Sequence, residues 1–193
     1  MEFGLRITGI QTVKPNPPKI YQTSENPAIS FELIPNISRR AYRNTVTTNS
    51  LGFRSPELDP DKPTIAVLGD SITFGYGVAD DETLPAQINA LLPEYNVLNG
   101  ASPAYQLLQE TATYKEKIMP LDPEQLILVF YFNDFTDSTA WLDDIGVVRA
   151  PEWVPGKDIC SPINRGLLQY LPGKCWLDTN SALYKIMKKI INM

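Results

Sequence analysis

Three polar groups stand where apolar runs of this chain end. Ser71 follows Thr64–Leu68 through the turn Gly69-Asp70-Ser71. The loop Asn99-Gly100-Ala101-Ser102-Pro103-Ala104 closes the short run Asn96–Asn99, and Asn133 follows the run 125–132. A hydroxyl, a loop of backbone N–H groups and a side-chain amide are the residue types of acyl transfer. The hydroxyl supplies a nucleophile, and the N–H groups stabilise the oxyanion that forms when it attacks a carbonyl. The N–H groups of Ser71 and of the second loop, with the Asn133 amide, make up that donor set. The tripeptide alone carries little weight. A Gly-Asp-Ser arises by chance in a chain this long with a probability of roughly 0.05, and the same three residues serve ordinary turns.

Other chemistry is poorly provided for. The chain holds no histidine, which excludes a histidine base and removes the commonest imidazole metal ligand. Lys62, Lys115 and Lys117 have no spacing that ties them to Ser71. The acidic runs Asp80-Asp81-Glu82 and Asp143-Asp144 read as solvated loops or first-turn acids rather than a metal site. Cys160 and Cys175 lack metal-site spacing. A bridge between them would close a loop of about fifteen residues and stabilise by ~3 kcal/mol, whereas two unbridged thiols would need no explanation. Trp141, Trp153 and Trp176 suit either a cleft lining or local packing.

The elements that must position these groups follow from periodicity. Thr64–Leu68 is apolar throughout, as a strand covered on both faces is. A helix is predicted near 83–92, with Thr83 as its cap and Pro85 in its first turn. A second strand is predicted at 96–99, a helix near 105–119 ended by Pro120, and a third, central strand over 125–132. A last helix is predicted over 181–191, capped by Ser181. Strand alternating with helix implies right-handed parallel crossovers and a three-layer α/β architecture. Residues 1–60 read as an N-terminal arm with short strands, at 29–34 and 44–48, and 61–193 as the α/β domain. Within it 135–180 is an irregular insertion. Of seventeen prolines, twelve cluster at 15–36, 56–63, 151–162 and 172. The pattern leaves one sheet edge open for a further strand.

Hydrophobic residues at 43% and charged residues at 20% fit an ordinary globular chain, and a net charge of −5 argues against a nucleic-acid partner. No apolar run reaches about 18 residues, so no membrane span is predicted. The start, M-E-F-G-L-R-I-T-G-I, lacks the pattern of a signal peptide.

With these blocks in order, the sequence resembles the SGNH (GDSL-type) esterase and lipase family. Gly69-Asp70-Ser71, followed by Thr73, Phe74, Gly75, Gly77 and Val78, matches its first block. Asn133-Asp134 matches its third, and Asn49-Ser50-Leu51-Gly52-Phe53-Arg54 is similar to an element of one bacterial branch. The resemblance covers roughly 44–134 and implies a flavodoxin-like parallel sheet, C-terminally incomplete here. Ser71 would be the nucleophile and an oxyanion donor, Ala104 a backbone oxyanion donor and Asn133 a side-chain oxyanion donor. Asp70 would brace the turn.

Two features depart from the family. Ala104 stands where the family has glycine, and the Asp-x-x-His block is absent. The resemblance therefore implies the N-terminal part of a longer protein; the alternative is a divergent member without that pair. It also implies an ester hydrolase acting through an acyl-serine on O-acyl groups of carbohydrate or lipid. No metal or organic cofactor would be needed, and this chain alone would be inactive. A non-catalytic module that binds a glycan or a partner protein is the other reading. Glu2–Gly9 is similar to a segment that follows a membrane anchor in the same branch. This implies an extracytoplasmic, periplasmic or cell-surface setting, which would suit a Cys160–Cys175 bridge.

Overall fold

A computed structural model describes residues 2–8, 17–131, 139–150, 170 and 172–191. They fall into two compact units, 17–152 and a second made of 1–16 with 153–193. In the second unit α1 is Glu2–Ile7, α5 is Lys174–Asn180 and α6 is Ala182–Ile191. The Ser181 hydroxyl accepts the Tyr184 N–H at 3.1 Å and so caps α6, as its sequence predicts. Cys175 is disulfide-bonded; Cys160, the chain's other cysteine, lies outside the described residues, as does Trp153.

The larger unit carries everything that concerns the site. Its strands are β1 (Tyr21–Thr23), β2 (Phe31–Leu33), β3 (Ser38–Ala41), β4 (Asn44–Thr47), β5 (Thr64–Leu68), β6 (Asn96–Asn99), β7 (Gln125–Leu128), β8 (Trp141–Leu142) and β9 (Val148–Arg149). Its helices are α2 (Ser71–Phe74), α3 (Leu84–Leu91) and α4 (Leu107–Thr113).

These strands do not build the single flavodoxin-like three-layer parallel sheet expected from the sequence. Among the described residues they form four small sheets. Only β6-β5-β7 is parallel; β1-β2, β3-β4 and β8-β9 are antiparallel pairs. The physical reason lies in two places. On β2, Phe31 and Leu33 are buried on either side of half-buried Glu32, and β3 and β4 are largely exposed, which suits short antiparallel pairs with one wet face. They join the rest through side chains rather than strand hydrogen bonds. The run 125–132 is hydrophobic enough for a central strand, yet β7 stops at Leu128 and pairs only with β5. It is an edge, with Leu126 46% and Leu128 44% exposed. β5 is the central strand, buried along its whole length.

On one face of the parallel sheet, Ala66 and Leu68 pack with Phe53, Leu98 and Ile118. On the other, Ile65, Val67 and Val97 pack with Ile88 and Leu92 from α3. Thr83 caps α3 by accepting the Ala86 N–H, with Pro85 in the first turn. The helix predicted near 105–119 is α4 alone. The chain then widens into a π-type turn over 114–118 and tightens into a 3-10 turn at 119–121, where Pro120 sits. A third core joins Ile20, Ile29, Phe31 and Val46 from the antiparallel pairs to Phe74 and Tyr105.

The β8–β9 hairpin, inside the stretch predicted to be irregular, turns on one carboxylate. Asp143 accepts the N–H groups of Ile145 and Val147, at 3.1 and 2.7 Å, and Arg149 Nε at 2.7 Å. Burial works to raise its pKa. The Val147 N–H, the bond to and charge of Arg149 and the Ile145 N–H together outweigh it and hold the carboxyl below its ordinary value. The stability this supplies is complete above the usual carboxylate range near pH 4. It is lost as pH falls through the lowered folded value. Urea unfolding at pH 6 and pH 3 should show Asp143→Asn losing less stability on acidification than the parent. Equal losses in the two proteins would refute this account.

Candidate functional site

Ser71 opens α2 at the carboxyl end of β5, through a turn that accepts only glycine at its first position. Gly69 has φ 152°. A Cβ there would stand 2.3 Å from Thr73 Oγ1 and 2.9 Å from the Val129 carbonyl oxygen, so both conformation and space exclude a side chain. Asp70 caps the short helix, its carboxylate accepting the Ile72 N–H at 2.9 Å. Among the described residues nothing hydrogen-bonds the Ser71 hydroxyl, so no side chain there takes its proton. Tyr42 lies nearby in the aromatic chain below, but burial foremost raises its pKa, which keeps the phenol neutral and unfit as a base.

The other end of α2 is gripped more tightly than sequence reasoning foresaw. Arg54 is buried, with 1% of its side chain exposed. Nε donates to Asp80 Oδ1 at 2.8 Å, Nη1 to the Phe74 and Gly75 carbonyls at 3.1 and 2.8 Å, and Nη2 to those of Thr45 and Val78 at 3.3 and 2.9 Å. Its planar head also lies 4.9 Å from the centre of the Phe74 ring. Asn99, fully buried at the end of β6, donates from Nδ2 to the Thr73 and Phe74 carbonyls at 3.3 and 3.4 Å. Its Oδ1 accepts the Ala101 N–H, and its own N–H donates to Ser55 Oγ at 2.7 Å. The carbonyls that a four-residue helix leaves unpaired at its end are thus met by side chains. The motif 49–54 carried the Arg54 signal; its partners were not visible in sequence.

β5 and β6 are parallel neighbours, with Val67 opposite Asn99. Their carboxyl ends therefore lie along one edge of the sheet, and the Ser71 turn and the 100–104 loop both leave from it. Ala104 has φ 68°, the left-handed conformation that glycine adopts without strain. Its exposed position in a turn tolerates this. β7 ends on the same edge, but Asn133 and Asp134 lie outside the described residues.

An aromatic chain runs from the core to the surface beside Ser71. Tyr21 packs edge-on against Phe31, and its hydroxyl meets that of Tyr42 at 2.7 Å. Tyr42 sits edge-on to Phe74 and stacks on Tyr76 with ring centres 4.2 Å apart. Tyr42 and Arg43 form the tip of the β3–β4 hairpin at φ 51° and 74°. Such tips favour Asn-Gly, and each left-handed non-glycine residue costs about 1–2 kcal/mol. An open cleft of about 380 Å³ borders Ser71, Ile72, Tyr76, Glu82 and Leu84. A second cavity, of about 420 Å³, lies between Arg54, Asp80, Pro85 and Asn89 and does not include Ser71. Among the described residues, no three His, Cys, Asp or Glu side chains gather to hold a metal ion, and no helix is long and apolar enough to cross a membrane.

Two substitutions test this framework. Arg54→Met should destabilise by about 3 kcal/mol or more in urea unfolding, because it removes five hydrogen bonds at once and breaks the ion pair with Asp80. Arg54→Lys should recover only part, since an ammonium cannot reproduce the planar fork. Ala104→Gly should change stability in the opposite direction, by about 0.5–1 kcal/mol. Relief of the left-handed strain exceeds the added freedom of the unfolded chain. A loss of stability in Ala104→Gly would show that the strain argument fails.

Compared with models of known protein families, the chain matches none, and no curated protein matches it.

Proposed function

We propose that this chain carries the nucleophile of a serine ester hydrolase of the SGNH type, acting through an acyl-serine on O-acyl groups of a carbohydrate or lipid. One observation supports this above the others. Ser71 stands at the carboxyl end of the central parallel strand, on a turn that only glycine can make, with its hydroxyl unengaged among the described residues. Ala104 adds support: the residue expected to donate an oxyanion N–H has a left-handed backbone conformation, one that glycine adopts freely.

In the proposed reaction Ser71 Oγ attacks the ester carbonyl carbon. The oxyanion is held by the N–H groups of Ser71 and Ala104 and by the Asn133 amide. A base takes the hydroxyl proton, the C–O bond to the alcohol breaks, and that proton leaves with the alcohol. Water then repeats the sequence on the acyl-serine. The 193 residues hold no histidine to act as this base, so the chain by itself is expected to be nearly silent. The same absence favours the second reading, a non-catalytic module that binds a glycan or partner protein. The anchoring and extracytoplasmic setting expected from residues 2–9 belong with the first reading.

Imidazole supplied in solution separates the two. With a p-nitrophenyl ester and imidazole, the parent should gain one acyl group on the peptide containing Ser71, read by mass spectrometry. Acid quenching early in the reaction should trap the adduct before imidazole assists the deacylation step as well. Ser71→Ala should gain none. A parent that acylates no faster than Ser71→Ala at equal imidazole would leave the binding-module reading in its place.

A further inference from the structure

In the cleft beside Ser71 the Ser71 hydroxyl stands unengaged among the described residues, while the neighbouring Glu82 and Thr83 side chains are hydrogen-bonded. Glu82 accepts the Ala79 N–H at 2.8 Å. The Thr83 hydroxyl accepts from Ala86 and donates to the Asp80 carbonyl. What faces outward is apolar: Ile72 is 53% exposed, Tyr76 59% and Leu84 42%. Single exposed apolar side chains are ordinary, whereas three around one cleft call for an occupant.

The Tyr76 ring is also held in place. Tyr42 stacks behind it, and Tyr42 is itself fixed by Phe74, by the Tyr21 hydroxyl and by a hairpin tip that accepts left-handed backbone at two non-glycine residues. A surface loop needs no such wall merely to turn the chain. A preorganised aromatic wall loses little entropy when a flexible apolar chain lies against it.

Resting on the reading of Ser71 as nucleophile, we propose that this cleft takes the acyl part of the ester, and that the acyl group is a linear apolar chain rather than acetyl. Three observations select that occupant. The cleft borders the hydroxyl that would receive the acyl group. Its volume, about 380 Å³, falls within the range of small-molecule sites. Its lining is mostly methyl, methylene and ring surface and holds no cationic side chain to meet a phosphate; Glu82, its one carboxylate, accepts the Ala79 N–H.

Methyl ketones of three to ten carbons probe the site without chemistry, their carbonyl standing for that of the ester. Titrated into the full chain and followed by amide chemical shifts, they should bind about two- to fourfold more tightly for each added methylene, the gain expected for partial to full burial of a CH₂ group. The shifts should centre on Ile72, Tyr76 and Leu84. Tyr76→Ala and, independently, Leu84→Ala should flatten the chain-length dependence, whereas Ser71→Ala should leave it intact. No chain-length dependence in the parent overturns the proposal, as does a dependence that survives both apolar substitutions. The imidazole acylation experiment, run with acetyl and octanoyl esters, keeps the two readings apart. Acylation of Ser71 without any preference for the longer ketones upholds the nucleophile and overturns the acyl cleft. Chain-length-dependent binding without acylation upholds the cleft as an apolar-chain site and removes the nucleophile.

Discussion

The Arg54 guanidinium is the point on which the geometry around Ser71 depends. It takes five acceptors from four places: Thr45 on β4, the end of α2, the turn at Val78 and the carboxylate of Asp80. A buried cation is costly to desolvate, and an ion pair alone seldom offsets that cost. Here Asp80 is 38% exposed and supplies only one of the five bonds. The backbone carbonyls supply the rest; Phe74 and Gly75 have further donors in Asn99 and the Val78 N–H, while the Thr45 and Val78 carbonyls turn to the guanidinium. The arrangement is mutual: segments that share no strand hydrogen bonds are joined because each holds part of what one cation requires. A lysine could satisfy three acceptors at most, without the planar spread.

Asn99 performs the complementary task from the sheet. Its amide holds the Thr73 and Phe74 carbonyls while its own strand remains paired with β5. Phe74 therefore has its carbonyl held by Arg54 and Asn99 and its ring packed among Phe31, Val46 and Tyr105. Displacement of α2 would break bonds to β4, to β6 and to the aromatic core together. The proposed nucleophile would need this kind of support, because small errors in its position forfeit much of the benefit of bringing reactants together.

Local rules made part of this legible in sequence. The uniformly apolar run of β5, the Thr83 and Ser181 caps and the Gly-Asp-Ser turn each follow from residues adjacent in the chain. Their structural counterparts appear where expected. The failures are non-local. The 125–132 run gives no sign that β7 will have one neighbour instead of two, because hydrophobicity reports what a strand can bury and not what lies beside it. Residues 29–34 and 44–48 read as short strands, but their partners β1 and β3, and the pairing into separate antiparallel sheets, depend on turns at 24–30 and 42–43, the second built on Tyr-Arg rather than Asn-Gly. Arg54 and Asn99 were visible only as members of motifs. Their work is done on carbonyls nine to twenty-six residues away, and a carbonyl carries no sequence signal.

Ala104 connects the two kinds of evidence. From sequence it is a departure, alanine where an oxyanion loop would have glycine. In the structure that departure is confined to a methyl group, because the backbone keeps the left-handed turn. An oxyanion donor acts through its N–H, whose direction is set by φ and ψ and not by the side chain. The substitution therefore leaves the chemistry of the loop open and moves its cost into stability. The base that the proposed reaction requires is a different matter. A donor can survive a change of side chain because the backbone supplies it; a base must be a titratable group, and a peptide N–H or carbonyl is not one. The constraint on this site is accordingly chemical, since the chain supplies a held hydroxyl and no group among the described residues that accepts its proton.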